Sequence, residues 1–336
     1  MGYDEMLKLG AVHRSFAGDA TFKTLAQIGR VNGELWKLYN ICFMVKIGDM
    51  ELQRGAVVFR AFTTGQSRAV YSTIWKMFFR ELGRVCGNRI MPSYMLPASD
   101  RSSCFQVSSI TTDYELAEIE GICCALSDSF GCDPIHHARN MMVGCEVHAL
   151  RRFLRRSGNK SKKDLYNAMN ALRRTKCKGE AAELLGIIEK SDPEWASWVT
   201  TDFILPLMVP AFSEMKTTFR ALSLSSTNVC ESHNARVKRL LGVRIPIREA
   251  VEIFSFLDKT DMDEILAGKQ RPHIASSSMK FKPIKRGLIR KPARSQARKR
   301  KQKLPSLKKR MINELIRKLS DFVAANFESG DSEDTH

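Results

Sequence analysis

Cys104-Phe-Gln-Val-Ser-Ser-Ile-Thr-Thr112 is rich in β-branched and aromatic residues and stops at an acid, Asp113. Such a run reads as a strand. Thr112 and Glu115 then open a helix that runs to about Ser127. Upstream, Tyr71, Ile74, Trp75, Phe78, Phe79 and Leu82 recur at helical spacing and predict an amphipathic helix with a buried stripe. Ahead of that helix, residues 7–24, 38–46 and 56–63 read as three strands, the first running through Asp19. Downstream, residues 140–148 read as a fifth short strand leading into a helix over 149–156. Residues from about 160 to 220 are helical in pattern, and Ser226-Thr-Asn228 precedes a helix over Val229 to Leu241.

Three strands in a row, then alternating helix and strand, predict an α/β protein with a mixed sheet flanked by helices. This order matches the RNase-H-like arrangement. There the first strand, the end of the fourth strand and a late helix meet at one edge. Here those elements carry Asp19, Asp113 and Glu231. Carboxylates are hard oxygen ligands suited to Mg²⁺ or Mn²⁺. Two such ions can activate an attacking oxygen and stabilise the leaving oxygen of a phosphodiester. Each acid also has a plainer reading. Asp19 can end a strand, Asp113 is a good helix N-cap, and Glu231, three after Asn228, can complete a capping box.

Composition narrows the partners. The chain has 336 residues, with 54 Lys+Arg against 36 Asp+Glu, a net charge of +18. Residues 280–310 hold no acid, and Arg298-Lys-Arg-Lys301 lies among their basic side chains. That segment reads as a nuclear-localisation or nucleic-acid patch, or as a solvated charge run. Residues 311–327 then show helical spacing, and 328–336 form an acidic tail. The longest apolar stretch, Phe203 to Phe212, is too short to span a bilayer and contains two prolines, so no membrane partner is expected. No secretory signal is visible, and nine scattered cysteines favour a reducing compartment.

Four motifs carry a resemblance. Asp19-Ala-Thr-Phe-Lys23 resembles the opening motif of Mutator-like element (MULE) transposase domains, of the DDE type. Thr112-Asp113-Tyr-Glu-Leu-Ala117 is similar to their second-aspartate motif, and Gly144-Cys145-Glu-Val-His148 to the C-x-x-H element that follows. Ser226-Thr-Asn-Val-Cys-Glu231-Ser-His-Asn-Ala-Arg-Val-Lys238 resembles the third-acid helix. The resemblance spans roughly residues 10–245. It implies a catalytic core over 1–245 with an all-helical insertion at 157–222 before the last acid. A helical extension and linker would follow at 246–279.

The resemblance further implies that Asp19, Asp113 and Glu231 hold two Mg²⁺ or Mn²⁺ ions, and that Cys145, His148 and Asn234 support the site. Arg236 and Lys238 would approach the DNA backbone, as would Arg298, Lys299, Arg300 and Lys301 in the tail. DNA would be the partner, with self-association on it, and the nucleus the location. The cysteine-rich readers usual in the family have no counterpart here, since no cysteine precedes Cys42 or follows Cys230. Two functions stay open: an active transposase core, and a non-catalytic DNA-binding protein derived from one. A plain RNase-H-type nuclease would need neither the helical stretch nor the basic tail. Cys145-x-x-His148 and Cys230-x-x-His233 have zinc half-site spacing, but nothing in the sequence makes them converge, and zinc is not expected. Cys–His nucleophilic catalysis lacks an orienting partner. His136-His137 reads as part of a polar loop without a role, and Trp195 and Trp198 as core anchors.

Overall fold

Ser67 begins the helix that organises the core. Its hydroxyl accepts the Val70 N–H, and Gly87, at φ 62°, ends the helix in the left-handed conformation that glycine adopts without strain. Between these caps, α2 (Arg68–Cys86) buries Tyr71, Ile74, Trp75, Phe78, Phe79 and Leu82. This is the stripe expected from the sequence. The computed structural model describes residues 4–21, 36–46, 53–87, 90–97, 104–158, 162–241 and 247–267. The basic segment, the 311–327 helix and the acidic tail lie outside these residues.

The main sheet has five strands: β1 (Ser15–Thr21), β2 (Lys37–Lys46), β3 (Gln53–Thr63), β6 (Ser109–Thr112) and β7 (Met142–Gly144), in the order β3-β2-β1-β6-β7. β2 runs antiparallel to both of its neighbours, β1 and β3, whereas β6 and β7 run parallel to β1. The fold is therefore mixed α/β, as expected. Helices α1 (Asp4–His13), α2 and α3 (Leu116–Phe130) serve one side, and Phe16, Ile41 and Phe43 join the large core there. On the other side Ala17, Cys42 and Val57 meet Val229 and Cys230 of α11 (Asn228–Leu241). α12 (Ile247–Leu266) joins this side, where Phe254 packs with Leu38 and Val237. Among the described residues no helix is long and apolar enough to cross a membrane.

Several sequence expectations need correction. Residues 7–24 are not one strand: α1 comes first, and its Met6, Leu7, Gly10 and Ala11 are buried at a helical spacing that loose alternation concealed. Residues 104–112 form two strands broken at Ser108. β5 (Phe105–Val107) pairs with β4 (Ile90–Pro92) in a separate parallel ribbon, and only β6 joins the main sheet. Residues 140–148 contribute only β7 as strand. His136 and His137 lie on α4 (Pro134–Met141), while α5 (Glu146–Arg156) starts early enough to carry His148. His137 is buried, with Nδ1 2.7 Å from the Tyr94 hydroxyl and Nε2 2.7 Å from the Gly131 carbonyl. These partners give it a structural part.

The stretch before α11 is helical, as expected. It comprises α6 (Lys163–Leu172), α7 (Lys178–Ser191), α8 (Pro193–Val199), α9 (Leu205–Met208) and α10 (Thr217–Leu222). Trp195 packs edge-on against Phe153, and Trp198 against Tyr114. Tyr114 is held at φ 71°, and its ring lies over Gly144: a Cβ there would sit 2.0 Å from the ring. Gly144→Ala is accordingly expected to destabilise the protein by about 1–3 kcal/mol through overpacking. A urea titration reads this directly, and an unchanged midpoint would contradict the close approach.

Candidate functional site

Strand pleating sends alternate residues to opposite faces. Phe16 faces α2, so Ala17 and Asp19 share the α11 face. The parallel register pairs Ser15 with Ser109 and Ala17 with Thr111. Asp113 follows directly on the end of β6, and its charge acts on Asp19 of the neighbouring strand. Across the other ladder Asp19 pairs with Asn40 of β2. Cys230 is buried and donates from Sγ to the Ala17 carbonyl at 3.4 Å. This contact seats the first turn of α11 on β1 and brings Glu231 to the same corner.

The electrostatics reflect this proximity. Burial, then the charges of Asp113 and Glu231, push the Asp19 carboxyl up to about 7. Asn234, one turn along α11 from Glu231, donates from Nδ2 to Asp19 Oδ2 at 3.0 Å. Its Oδ1 accepts from Asn40 Nδ2 at 2.6 Å. Asn40 Oδ1 in turn accepts from Arg60 Nη1 at 2.9 Å, and Arg60 Nε donates to Asp258 Oδ2 of α12 at 2.8 Å. One chain of hydrogen bonds therefore runs from α12 to Asp19.

Asn228 N–H donates to Ser226 Oγ, so Glu231 does not complete a capping box. Its Oε1 lies 3.2 Å from both His148 Nε2 and Arg151 Nη1. Asp113 Oδ1 accepts the Glu115 N–H at 3.1 Å, but the cap position itself is Glu115, so Asp113 only braces the approach to α3.

Cys145 and His148 are neighbours of this corner. Cys145 is fully buried at the start of α5, where the Thr227 N–H and Ser226 Oγ approach its sulfur at 3.4 and 3.5 Å. Burial alone would raise this thiol. Hydrogen bonds with His148, Ser226 and Thr227 outweigh it and bring the thiol down to about 6. The same bond to Cys145 raises His148. The two Cys-x-x-His pairs face different neighbours, since His233 Nε2 lies 2.9 Å from Arg60 Nη2. Arg236 is turned to α12, where Nη1 donates to both oxygens of Asp261 at 2.8 Å. Lys238 lies further along α11. Arg298, Lys299, Arg300 and Lys301 fall outside the described residues.

Sequence reasoning missed several residues. Glu118 of α3 is fully buried under the corner and accepts from the Tyr39 hydroxyl, which itself accepts from Trp75 Nε1 at 3.1 Å. Burial, then the charge of Asp113, raise the Glu118 carboxyl far above the usual range. Gly18 makes room for this pair, because a Cβ there would sit 2.0 Å from the Tyr39 oxygen. An acid at position 118, four before Ile122 on the apolar face of α3, was a readable signal.

No protein-family model matches the chain, and no curated protein matches it.

The donor set is of the kind that suits a hard cation: three carboxylates bear on one corner, and burial, then the charges of the other two, make Asp19 hold a proton up to about 7. Among the described residues no three Asp, Glu, His or Cys side chains surround a single point, and Glu231 is turned to His148 and Arg151.

Proposed function

We propose that this chain is a DDE-type, metal-dependent DNA transposase core on an RNase-H-like sheet, of the Mutator-like group that its motifs resemble. One observation carries the reading: Asp19, Asp113 and Glu231 come from three distant segments to one corner, where burial first, and then the charges of the other two acids, lift Asp19 to about 7. Buried like charges are expensive, and they persist where function requires them. Asp19, Asp113 and Glu231 would hold Mg²⁺ or Mn²⁺. Such ions would supply activation of the attacking oxygen and neutralisation of charge on the leaving oxygen of a phosphodiester.

The protein's own share is positioning. Asn234 fixes the plane of the Asp19 carboxylate. His148 and Arg151 hold Glu231 at the helix start until a cation competes for it. Arg151 is half exposed, so its guanidinium can also reach a strand phosphate. The buried Cys145 fixes the His148 ring and does not present a nucleophile.

A second reading also has an observation behind it. His148 and Arg151 already balance Glu231, as expected of a DNA-binding protein that no longer cuts. Nicking of supercoiled plasmid by the purified chain separates the two. Cleavage is expected with Mg²⁺ or Mn²⁺ and not with EDTA. Glu231→Gln should lower the rate by about a hundredfold or more, since paired ions supply several kcal/mol to the transition state. Glu115→Gln, in a comparable helix start, should cut normally. Wild-type protein that never nicks DNA, even with Mn²⁺, would leave the binding-only reading standing.

A further inference from the structure

Beside the acidic corner lies a cleft of about 720 Å³, between the sheet and the segment 220–229. That volume falls inside the range of about 300–1,000 Å³ usual for small-molecule sites. Its lining is mixed and includes Glu146 and the hydroxyls of Ser223, Ser225 and Ser226. Met44, Val143, Leu207 and Met208 supply apolar surface, while Arg173 and Arg220 bring two guanidinium groups to it.

The two cations are not equally compensated. Arg173 donates from Nη1 to Glu146 Oε1 at 2.6 Å. Arg220, on α10, has no carboxylate within ion-pair distance among the described residues, although it is half-buried. Burial lowers its pKa accordingly. The charges of Arg173, Arg220 and Arg152 all act on the Tyr114 hydroxyl, in that order of strength. A half-buried cation without a counter-charge, at the wall of an amphipathic cleft, is an arrangement that an anion completes.

We infer that this cleft binds a nucleotide, with its phosphate on Arg220 and its base against the apolar wall of Met44, Val143 and Leu207. The site is separate from the three acids and requires no metal ion. The choice of a nucleotide as the phosphate carrier rests on the nucleic-acid reading above. The carrier can be the terminal residue of a DNA strand or a free mononucleotide. The chemistry of recognition is the same.

Calorimetry on the full chain in EDTA tests this, with deoxyadenosine 5′-monophosphate and a 5′-phosphorylated deoxydinucleotide as probes. Saturable binding is expected. Arg220→Gln should weaken it about tenfold or more, the loss of one charge-assisted contact. Ala221→Glu, which adds a negative charge at the exposed rim and removes no contact, should weaken it as well. It keeps the test decisive if the arginine variant does not fold. Lys190→Gln, which removes an exposed charge in the last turn of α7 and lies outside the cleft, should bind like wild type, which excludes general attraction to surface charge. Tighter binding of the dinucleotide identifies a strand-end site, and tighter binding of the mononucleotide an effector site.

Absence of binding, equal binding by folded Arg220→Gln or folded Ala221→Glu, or equal displacement by inorganic sulfate would overturn the nucleotide assignment. Because no divalent ion is present, the result is independent of cleavage. A chain that binds nucleotide but never nicks DNA removes the catalytic reading alone, and one that nicks DNA but binds no nucleotide removes the cleft alone.

Discussion

Asp19→Asn should make the protein more stable while abolishing cleavage. The folded protein keeps the Asp19 proton up to about 7, against an ordinary value of 3.8. Between these two pH values the folded state binds more protons than the unfolded one, so stability falls as pH rises through that window. Asparagine does not titrate, and its side-chain oxygen can still accept from Asn234 Nδ2. In EDTA at pH 8 the gain should be on the order of 4 kcal/mol, from a rise of about three pH units. It should shrink to nothing near pH 4. Mg²⁺ should stabilise the wild type, since it binds the folded state selectively, and leave the variant unmoved. Urea titrations across pH, with and without Mg²⁺, provide the measurement. Parallel curves for the two proteins would show that neither burial nor the neighbouring acids raise Asp19.

Arg60→Met should cost about 3–5 kcal/mol, because it leaves Asp258 buried without its cation. Arg60 is 1% exposed and makes two contacts to Asp258, one to Asn40 and one to His233. Its guanidinium also lies 4.6 Å from the centre of the Phe254 ring. Removing Asp258 as well, in the double variant Arg60→Met with Asp258→Leu, should recover much of the loss, since no buried charge then remains unpaired. Chemical denaturation of the two variants measures this. If the double variant is no more stable than the single one, the cost comes from packing and not from charge.

The sheet was legible where burial is one-sided or continuous. Residues 38–46 and 56–63 announced β2 and β3 closely, and the stripe on α2 is unambiguous. Short strands buried on both faces were less readable. β6 and β7 have four and three residues, too few for a period to establish itself, so their neighbours were absorbed into them. The acids could be named because chemistry limits which side chains hold hard cations. Their supports could not. Arg60 stands in an apolar strand that looks complete without it, and its partner comes from a helix nearly two hundred positions later. Long-range polar pairing leaves no local period, and a single sequence does not display it.

The hydrogen-bond chain that ends on Asp19 has a further consequence, in time rather than space. Its links join residues 215, 194 and 198 positions apart, with one short step of 20 within the hairpin. Contacts of such separation close large loops, whose entropy must be met before the contact gives any return. On the ribosome β1, β2 and β3 can pair long before α11 and α12 exist. Asp19 therefore waits, unpaired by Asn234, until nearly all of the described chain has been made. A newly made chain reaches its full charge geometry last.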